Sequence, residues 1–298
     1  MEKRGFYRTV KVNWKSLCAA ALGTAVLFTA LFTVSAATVQ NFPSGEVNGK
    51  EIPIVMYHSV LKDKTYHGKY VISPDELESD LLYLKEHGYT TILPQDLIAY
   101  TKGEELPEKP IILTFDDGYY NNYLYAFELA KQYECKFLIS PIGYFSDFYT
   151  ESGEHNGYYT HCTWDHLREM VDSGLVEVGN HSYDLHKSMG KFVGVKKASG
   201  ETEEQYRERL TADLKKAQDA IKAGIGKEVQ TFVYPFGEVS KTTPGILKEM
   251  GFSVTMTCRK TVSRVTEDPE SLYGLGRYLR PSGVSSQEFF EKRMKLLE

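Results

Sequence analysis

Short apolar runs alternate with amphipathic segments along the chain from residue 52 onward. The apolar runs predict strands over 52–57, 90–93, 111–115, 135–140, 175–178, 229–234, 252–257 and 278–279. The amphipathic segments predict helices over 74–87, 95–101, 121–133, 164–172, 203–223, 244–250 and 286–297. Strands that alternate with helices indicate a parallel sheet. About seven such repeats without a long linker predict an α/β fold with one closed or nearly closed barrel.

The first 37 residues do not fit this pattern. A basic start is followed by an uncharged apolar run, Leu17 to Val34, and by small residues at 35–37. This arrangement is typical of a signal peptide, but the run also approaches the ~20 residues that a membrane anchor needs. In both interpretations the remaining chain is extracytoplasmic, either secreted or attached to the membrane through residues 17–34. Residues 38–51 predict a linker, and 52–298 the folded domain.

Charge and cysteine content limit the binding partners and the metal sites that can be expected. Removing residues 1–37 removes five basic residues and one acidic residue, so the net charge moves from −5 to −9. An acidic domain argues against nucleic acid and polyanions, and is compatible with a neutral or cationic polymer. The remaining cysteines have no CxxC spacing, so a cysteine zinc site is not expected. Cys135 and Cys258 are expected to be buried. The sequence does not decide whether Cys162 forms a disulfide.

Two adjacent carboxylates, Asp116 and Asp117, follow the apolar run 111–115 and precede a glycine. A buried parallel strand would place them at its C-terminal end, where ligands bind in α/β folds. Because neighbouring side chains on a strand point to opposite sides, one can bind a metal while the other handles a proton. The alternative is an Asp-Asp-Gly turn whose aspartate caps the next helix.

Histidines follow two other predicted strands. His181 and His186 come after 175–178, and their spacing would place them about 140° apart on a helix, whereas a loop allows them to converge. Together with Asp117 they would form a metal site with open positions, which is typical of catalytic sites. The alternative is two surface histidines. His58 follows 52–57 and would face the same end of the sheet, unless its role is only structural.

The motifs TFDDG at 114–118, HSYDLH at 181–186 and YPFG at 234–237 resemble those of the polysaccharide deacetylases, the NodB-like carbohydrate esterase family 4. The resemblance covers roughly residues 52–280. MYHSV at 56–60, ahead of TFDDG, resembles the branch with the catalytic-histidine motif at the front of the domain, which includes the biofilm poly-N-acetylglucosamine deacetylases. The resemblance implies a distorted (β/α) barrel of about seven strands in a single domain.

The resemblance also implies a reaction and its residues. The reaction is hydrolysis of N-acetyl groups on an extracellular amino-sugar polymer: poly-N-acetylglucosamine, peptidoglycan or a chitin-like chain. The cofactor is one divalent metal, with zinc as the default and nickel, cobalt or iron(II) as alternatives. The implied roles are general base for Asp116, general acid for His58, metal ligands for Asp117, His181 and His186, and an oxyanion N–H near Phe236.

Two positions depart from the family pattern. Val233 replaces the arginine that usually holds the catalytic aspartate, so Arg277 or Arg280 would have to substitute for it, and Ser59 replaces the aspartate beside the acid histidine. Tyrosines are abundant, and Tyr119 and Tyr234 are candidate substrate contacts, since aromatic rings stack on sugars. Ordinary packing is the alternative for them. An O-acetyl esterase of a cell-wall glycan and a catalytically silent glycan-binding relative remain alternative functions.

Overall fold

A closed barrel of parallel strands organises residues 49–296, the part of the chain that the computed structural model describes. The strands are β1 (Gly49–Ile52), β2 (Ile54–Tyr57), β3 (Ser59–Val60), β4 (Val71–Ile72), β5 (Thr90–Thr91), β6 (Pro110–Asp117), β7 (Phe137–Pro141), β8 (Val176–Val178), β9 (Ser188–Met189), β10 (Phe192–Val193), β11 (Thr231–Val233), β12 (Val254–Met256), β13 (Ser263–Thr266) and β14 (Tyr278–Leu279). The helices are α1 (Pro74–Glu86), α2 (Pro94–Tyr100), α3 (Glu128–Tyr133), α4 (Gly143–Ser152), α5 (Trp164–Asp172), α6 (Glu203–Ile225) and α7 (Thr243–Glu249).

The barrel consists of two parallel sheets that meet at two narrow seams. Five strands pair in the order β14-β2-β6-β7-β8, and β11 pairs with β12. Single parallel bridges join them, one between Asn180 and Phe232 and the other between Met256 and Leu275. The seven strands therefore form a ring whose seams are short. This confirms the predicted distorted barrel.

Most of the barrel strands bury both of their faces, which explains why their sequences are mainly apolar. On β6, Ile112 belongs to the cluster inside the barrel, whereas Leu113 and Phe115 pack under the outer helices. Every residue of β6 is buried. Burying each such side chain contributes about 1.5–3 kcal/mol, so β6 is a rigid base for the residues at its C-terminal end.

Side-chain caps set the helix starts that the sequence predicts well. Ser73, Thr163 and Thr202 each accept a hydrogen bond from the backbone N–H of the third helical residue, at the starts of α1, α5 and α6. Helix α6 ends at Gly226, which has a left-handed φ of 74°. These observed helices end within two residues of their predicted ends, because both signals are local.

Other segments differ from the predictions. Residues 49–51, assigned to the linker, belong to β1, whose polar residues pair with β13 at an edge. Residues 143–152, where no element is predicted, form α4, and the residue before it, Ile142, provides no side-chain cap and so no start signal. The predicted helices over 121–133 and 286–297 contain the wide helical turns Asn122–Phe127 and Glu288–Arg293. Single 3-10 turns occur at Lys64–Tyr66, Pro235–Gly237 and Pro269–Leu272.

The three cysteines of the described part are free thiols. Cys162 is fully buried, whereas Cys135 and Cys258 are partly exposed, contrary to the prediction for those two. Within residues 49–296 no helix has the length and apolarity to cross a bilayer. The predicted signal peptide or anchor over 1–37, and the linker up to residue 48, lie outside the described residues.

Candidate active site

Asp117, His181 and His186 converge at the C-terminal end of the barrel. Asp117 Oδ1 lies 3.6 Å from His181 Nε2 and 3.4 Å from His186 Nε2. The ligand atoms of the three residues all lie within 4.8 Å of one another. Asp117 Oδ1 is buried and accepts no hydrogen bond from the described residues, which is costly for a carboxylate oxygen. One carboxylate and two imidazole nitrogens in this arrangement fit a divalent metal ion.

The backbone at the end of β6 turns both aspartates toward one pocket. Asp117 has a left-handed φ of 68°, and Gly118 follows with a φ of 76°. A Cβ atom at Gly118 would lie 2.7 Å from the Cβ of Pro141, so only glycine fits there. The left-handed residue interrupts strand alternation. Asp116 and Asp117 therefore line the same cavity instead of opposite faces of the sheet.

The ring orientation of His181 is fixed by a backbone carbonyl. Its Nδ1 donates to the carbonyl oxygen of Val233 at 2.7 Å, which leaves the Nε2 lone pair directed at Asp117. Burial lowers the pKa of His181 to about 3 and also lowers the pKa of His186. Both imidazoles are therefore neutral near pH 7, which is the protonation state that a metal ligand requires.

Helix α6 holds the loop that carries the two histidines. Asp213 on this helix accepts hydrogen bonds from the backbone N–H groups of Tyr183 and Asp184, at 2.8 and 2.9 Å. Asn180 Oδ1 accepts from the N–H of Ser182 at 2.8 Å, and Ser182 has a left-handed φ of 72°. Asp213 is not predictable from the sequence, because a carboxylate on a charged amphipathic helix carries no local signal of this contact.

Arg277 holds Asp116 through two charge-assisted hydrogen bonds. Its Nη1 and Nη2 donate to Oδ1 and Oδ2 of Asp116 at 2.6 and 2.8 Å. The guanidinium is fully buried and also donates to Thr114 Oγ1 and to the carbonyl oxygen of Thr257, both at 3.0 Å. Burial by itself raises the pKa of Asp116, but the charge of Arg277 outweighs it and holds that pKa well below its usual range.

His58 lies beside Asp116 at the end of β2. Its Nε2 is 4.0 Å from Asp116 Oδ2, and its ring contacts the Tyr70 ring edge-on, with 4.8 Å between centroids. His58 Nδ1 is buried and has no hydrogen-bond partner among the described residues. Ser59, which stands where the family has an aspartate, instead accepts a hydrogen bond from Asn121 Nδ2 at 2.9 Å. Packing against Tyr70 therefore orients His58 in place of a carboxylate.

These groups line a cavity of about 540 Å³, which is within the range of small-molecule sites. Tyr119 and Phe236 also line it, and the Phe236 ring lies 4.3 Å from the His186 ring. Tyr234 does not reach the cavity, because its 1% exposed side chain packs with Phe232 in a separate cluster. Three other lining residues had no signal in the sequence that pointed to the site: Lys69, Tyr70 and Lys260.

Residues 103–255 match a family model described as polysaccharide deacetylase, which covers more than half of the 298 residues. The chain is 24% identical over 265 residues to the poly-beta-1,6-N-acetyl-D-glucosamine N-deacetylase of Escherichia coli K12. The match covers 82% of this chain but only 38% of that relative, so this chain matches less than half of the E. coli protein.

Two solved structures also resemble this fold closely. IcaB from Ammonifex degensii is 31% identical with a TM-score of 0.64, and the match covers 78% of this chain and 93% of that one. A de-N-acetylase from Aggregatibacter actinomycetemcomitans is 26% identical with a TM-score of 0.67, covering 79% and 97%.

Proposed function

Because the chain belongs to the polysaccharide deacetylase family, we propose that it is a metal-dependent hydrolase that removes N-acetyl groups from extracellular poly-N-acetylglucosamine. The observation that carries the proposal is the convergence of Asp117, His181 and His186 beside an arginine-bound aspartate. The name of the E. coli relative supports the choice of polymer. An extracytoplasmic location, with release or anchoring through residues 17–34, agrees with a substrate outside the cell.

Asp117, His181 and His186 would hold one divalent ion, zinc by default, with nickel, cobalt or iron(II) also suited to these donors. Such an ion, when bound, polarises the acetamide carbonyl and lowers the pKa of the attacking water. The buried Asp117 Oδ1 would thereby gain the partner that the described residues do not provide. Three protein ligands leave further positions for water and substrate.

Asp116 and His58 would move the protons. Asp116 remains ionised and accepts a proton from the water whose oxygen attacks the carbonyl carbon, while Arg277 keeps the carboxylate in place. When the carbon–nitrogen bond breaks, His58 donates a proton to the leaving nitrogen, and the products are acetate and an amine. A backbone N–H near Phe236 is the proposed oxyanion donor. Tyr119 and Phe236 are the proposed sugar contacts.

Acetate release from defined oligosaccharides, with metal content measured on the same samples, tests this function. We expect the purified protein to bind one equivalent of metal and to release acetate from β-1,6-linked N-acetylglucosamine oligomers. Asp117→Ala and His186→Ala should lose both properties. His155→Ala, which removes an exposed histidine that does not line the cavity, should keep both.

Three results would contradict the proposal. Acetate release from an O-acetylated xylan oligomer alone would indicate an esterase. Full metal content in Asp117→Ala and His186→Ala would place the metal elsewhere. Retained oligosaccharide binding without acetate release from any substrate would indicate a catalytically silent glycan-binding protein.

A further inference from the structure

Two lysines place positive charge at the active-site cavity of an acidic protein. Lys69, between β3 and β4, and Lys260, after β12, both line the cavity and are exposed. Lys69 Nζ lies 4.8 Å from the centre of the Tyr70 ring, which in turn contacts the ring of His58. Among residues 49–296, neither Lys69 nor Lys260 forms an ion pair with a carboxylate. Their charges are therefore not neutralised at the exposed opening of the cavity, its mouth.

Charges deeper in the cavity do not cancel those of the lysines. The carboxylates that line it are Asp116 and Asp117. Arg277 neutralises Asp116 through two hydrogen bonds. Asp117 faces two histidines and would be neutralised by the proposed metal ion. The loaded cavity is thus positive overall, although the whole chain has a net charge of −5.

We propose that Lys69 and Lys260 select against polymer segments whose units beside the reacting one already carry free amines. This inference rests on the proposed function, in which each turnover replaces a neutral acetamide by an amine that is protonated near neutral pH. A cavity of about 540 Å³ holds a small ligand, so the neighbouring polymer units cross the mouth beside the two lysines. A cationic neighbour is repelled there, whereas an acetylated neighbour is not.

The expected size of this selection follows from exposed charges in water. Repulsion between unit charges several ångströms apart is weak in a high dielectric and is screened by salt, so the two lysines together should discriminate about two- to fivefold. Consecutive deacetylation of adjacent units is then disfavoured, and the free amines become dispersed along the polymer. High salt should reduce the discrimination.

Two matched oligomers test the proposal. One is a fully N-acetylated hexamer, and the other carries glucosamine on both sides of a single N-acetylated unit. For the metal-loaded wild type we expect kcat/KM per acetamide to be two- to fivefold higher on the first. Lys69→Glu/Lys260→Glu should reverse this preference, and Lys69→Arg/Lys260→Arg should retain it.

A control double variant makes the same change in charge at the other end of the barrel. Lys102 and Lys227 are exposed and lie in the connections that lead into the N-terminal ends of β6 and β11. Lys102→Glu/Lys227→Glu should keep the wild-type preference, because its charges are far from the mouth. A reversed preference in this control would attribute the effect to net charge and overturn the proposal.

Binding gives a second readout that does not depend on turnover. Calorimetry measures the affinities for a glucosamine hexamer and for the N-acetylated hexamer. Relative to the wild type, Lys69→Glu/Lys260→Glu should shift the ratio of these two affinities at least about fivefold toward the cationic glucosamine hexamer. An unchanged affinity ratio overturns the selection, whether or not acetate is released. Loss of acetate release with a shifted ratio would count against the proposed function alone.

Discussion

Two buried arginines near the last barrel strand make almost the same ion pair and have different consequences. Arg277 donates to both oxygens of Asp116 at 2.6 and 2.8 Å, and Arg280 donates to both oxygens of Asp80 at 2.7 and 3.0 Å. Both arginines are at most 1% exposed. They flank β14 and lie three positions apart, so alternation directs them to opposite faces of the barrel wall. Arg277 lies inside, and Arg280 contacts helix α1.

The surroundings of the two carboxylates differ more than the pairs themselves. Asp80 also accepts hydrogen bonds from Tyr57 Oη at 3.0 Å and Ser286 Oγ at 2.7 Å, and it is fully buried. Burial raises the pKa of Asp80 despite these bonds. Asp116 instead borders the cavity, and its pKa is lowered by Arg277 against the effect of burial. The enclosed pair cannot reach a substrate and has a structural role, whereas the pair open to a cavity prepares a carboxylate for chemistry.

The largest expected effect is on turnover when Asp116 changes. Asp116→Asn keeps a carbonyl oxygen for Arg277 but cannot accept a proton, so kcat should fall about 10²–10⁴-fold. Metal content should stay at one equivalent, because Asp117 and the histidines are unchanged. Steady-state acetate release and metal analysis on one preparation check both. Loss of the metal in Asp116→Asn would show that the roles of the two aspartates are exchanged.

The matching change in the enclosed pair should affect stability. Arg280→Ala leaves the buried Asp80 without its cation, which should lower the free energy of unfolding by about 3–5 kcal/mol. Urea unfolding measures this change, and kcat per folded molecule should remain within about twofold, since Arg280 does not reach the cavity. Arg293→Ala removes an exposed pair with Glu288 and should cost at most about 1 kcal/mol.

A conservative change at Arg277 should have a smaller effect than loss of Asp116. Arg277→Lys keeps a positive charge but cannot donate two parallel hydrogen bonds, so Asp116 loses its fixed orientation. We expect kcat to fall about 10²-fold, since a displacement of about 1 Å at a reacting group costs this much. KM should change little, because Arg277 does not line the cavity. A wild-type kcat in Arg277→Lys would show that charge alone suffices.

The comparison also shows what the sequence can and cannot predict. The strand-end positions of Asp116, His58 and His181 follow from apolar runs, which local hydrophobicity determines. The choice between Arg277 and Arg280 stayed open in the sequence, because it depends on how the last strand closes the barrel. The barrel fold and the family are confirmed, whereas the roles of the site residues remain proposals.

Failures of prediction have the same physical origin. Asp117 shares the cavity with Asp116 because of one left-handed residue, and strand alternation does not foresee that. Tyr234 was predicted as a substrate contact, but it lies one position after a buried strand and packs outside the cavity. Asp213 acts on a loop about thirty residues earlier in the chain. Such contacts are set by tertiary packing, and no local pattern encodes them.

A third carboxylate, Glu177 on β8, extends the comparison to a site that lacks an arginine. Its oxygens accept hydrogen bonds from the backbone N–H of Gln95 and from Thr231 Oγ1, both at 3.0 Å. No lysine or arginine within residues 49–296 forms an ion pair with Glu177. Burial raises the pKa of Glu177 from 4.5 to about 7. As at Asp80, the cost of burying the charged form prevails over the hydrogen bonds.

Glu177→Gln should therefore alter how stability depends on pH. The pKa of Glu177 is higher in the folded than in the unfolded chain. The contribution of Glu177 to stability is therefore fully present below pH 4.5 and is lost as the pH rises through about 7. Because solvent reaches the cleft beside Glu177, we expect a loss of about 1–3 kcal/mol over this range. The glutamine has no charge to bury, so urea unfolding at pH 5 and pH 8 should show a smaller loss for Glu177→Gln.

Glu105→Gln, at an exposed position, is the control and should behave as the wild type does. Equal pH dependence in wild type and Glu177→Gln would contradict this prediction. It would mean that water solvates Glu177 in the fold as freely as in the unfolded chain, so that burial does not raise its pKa.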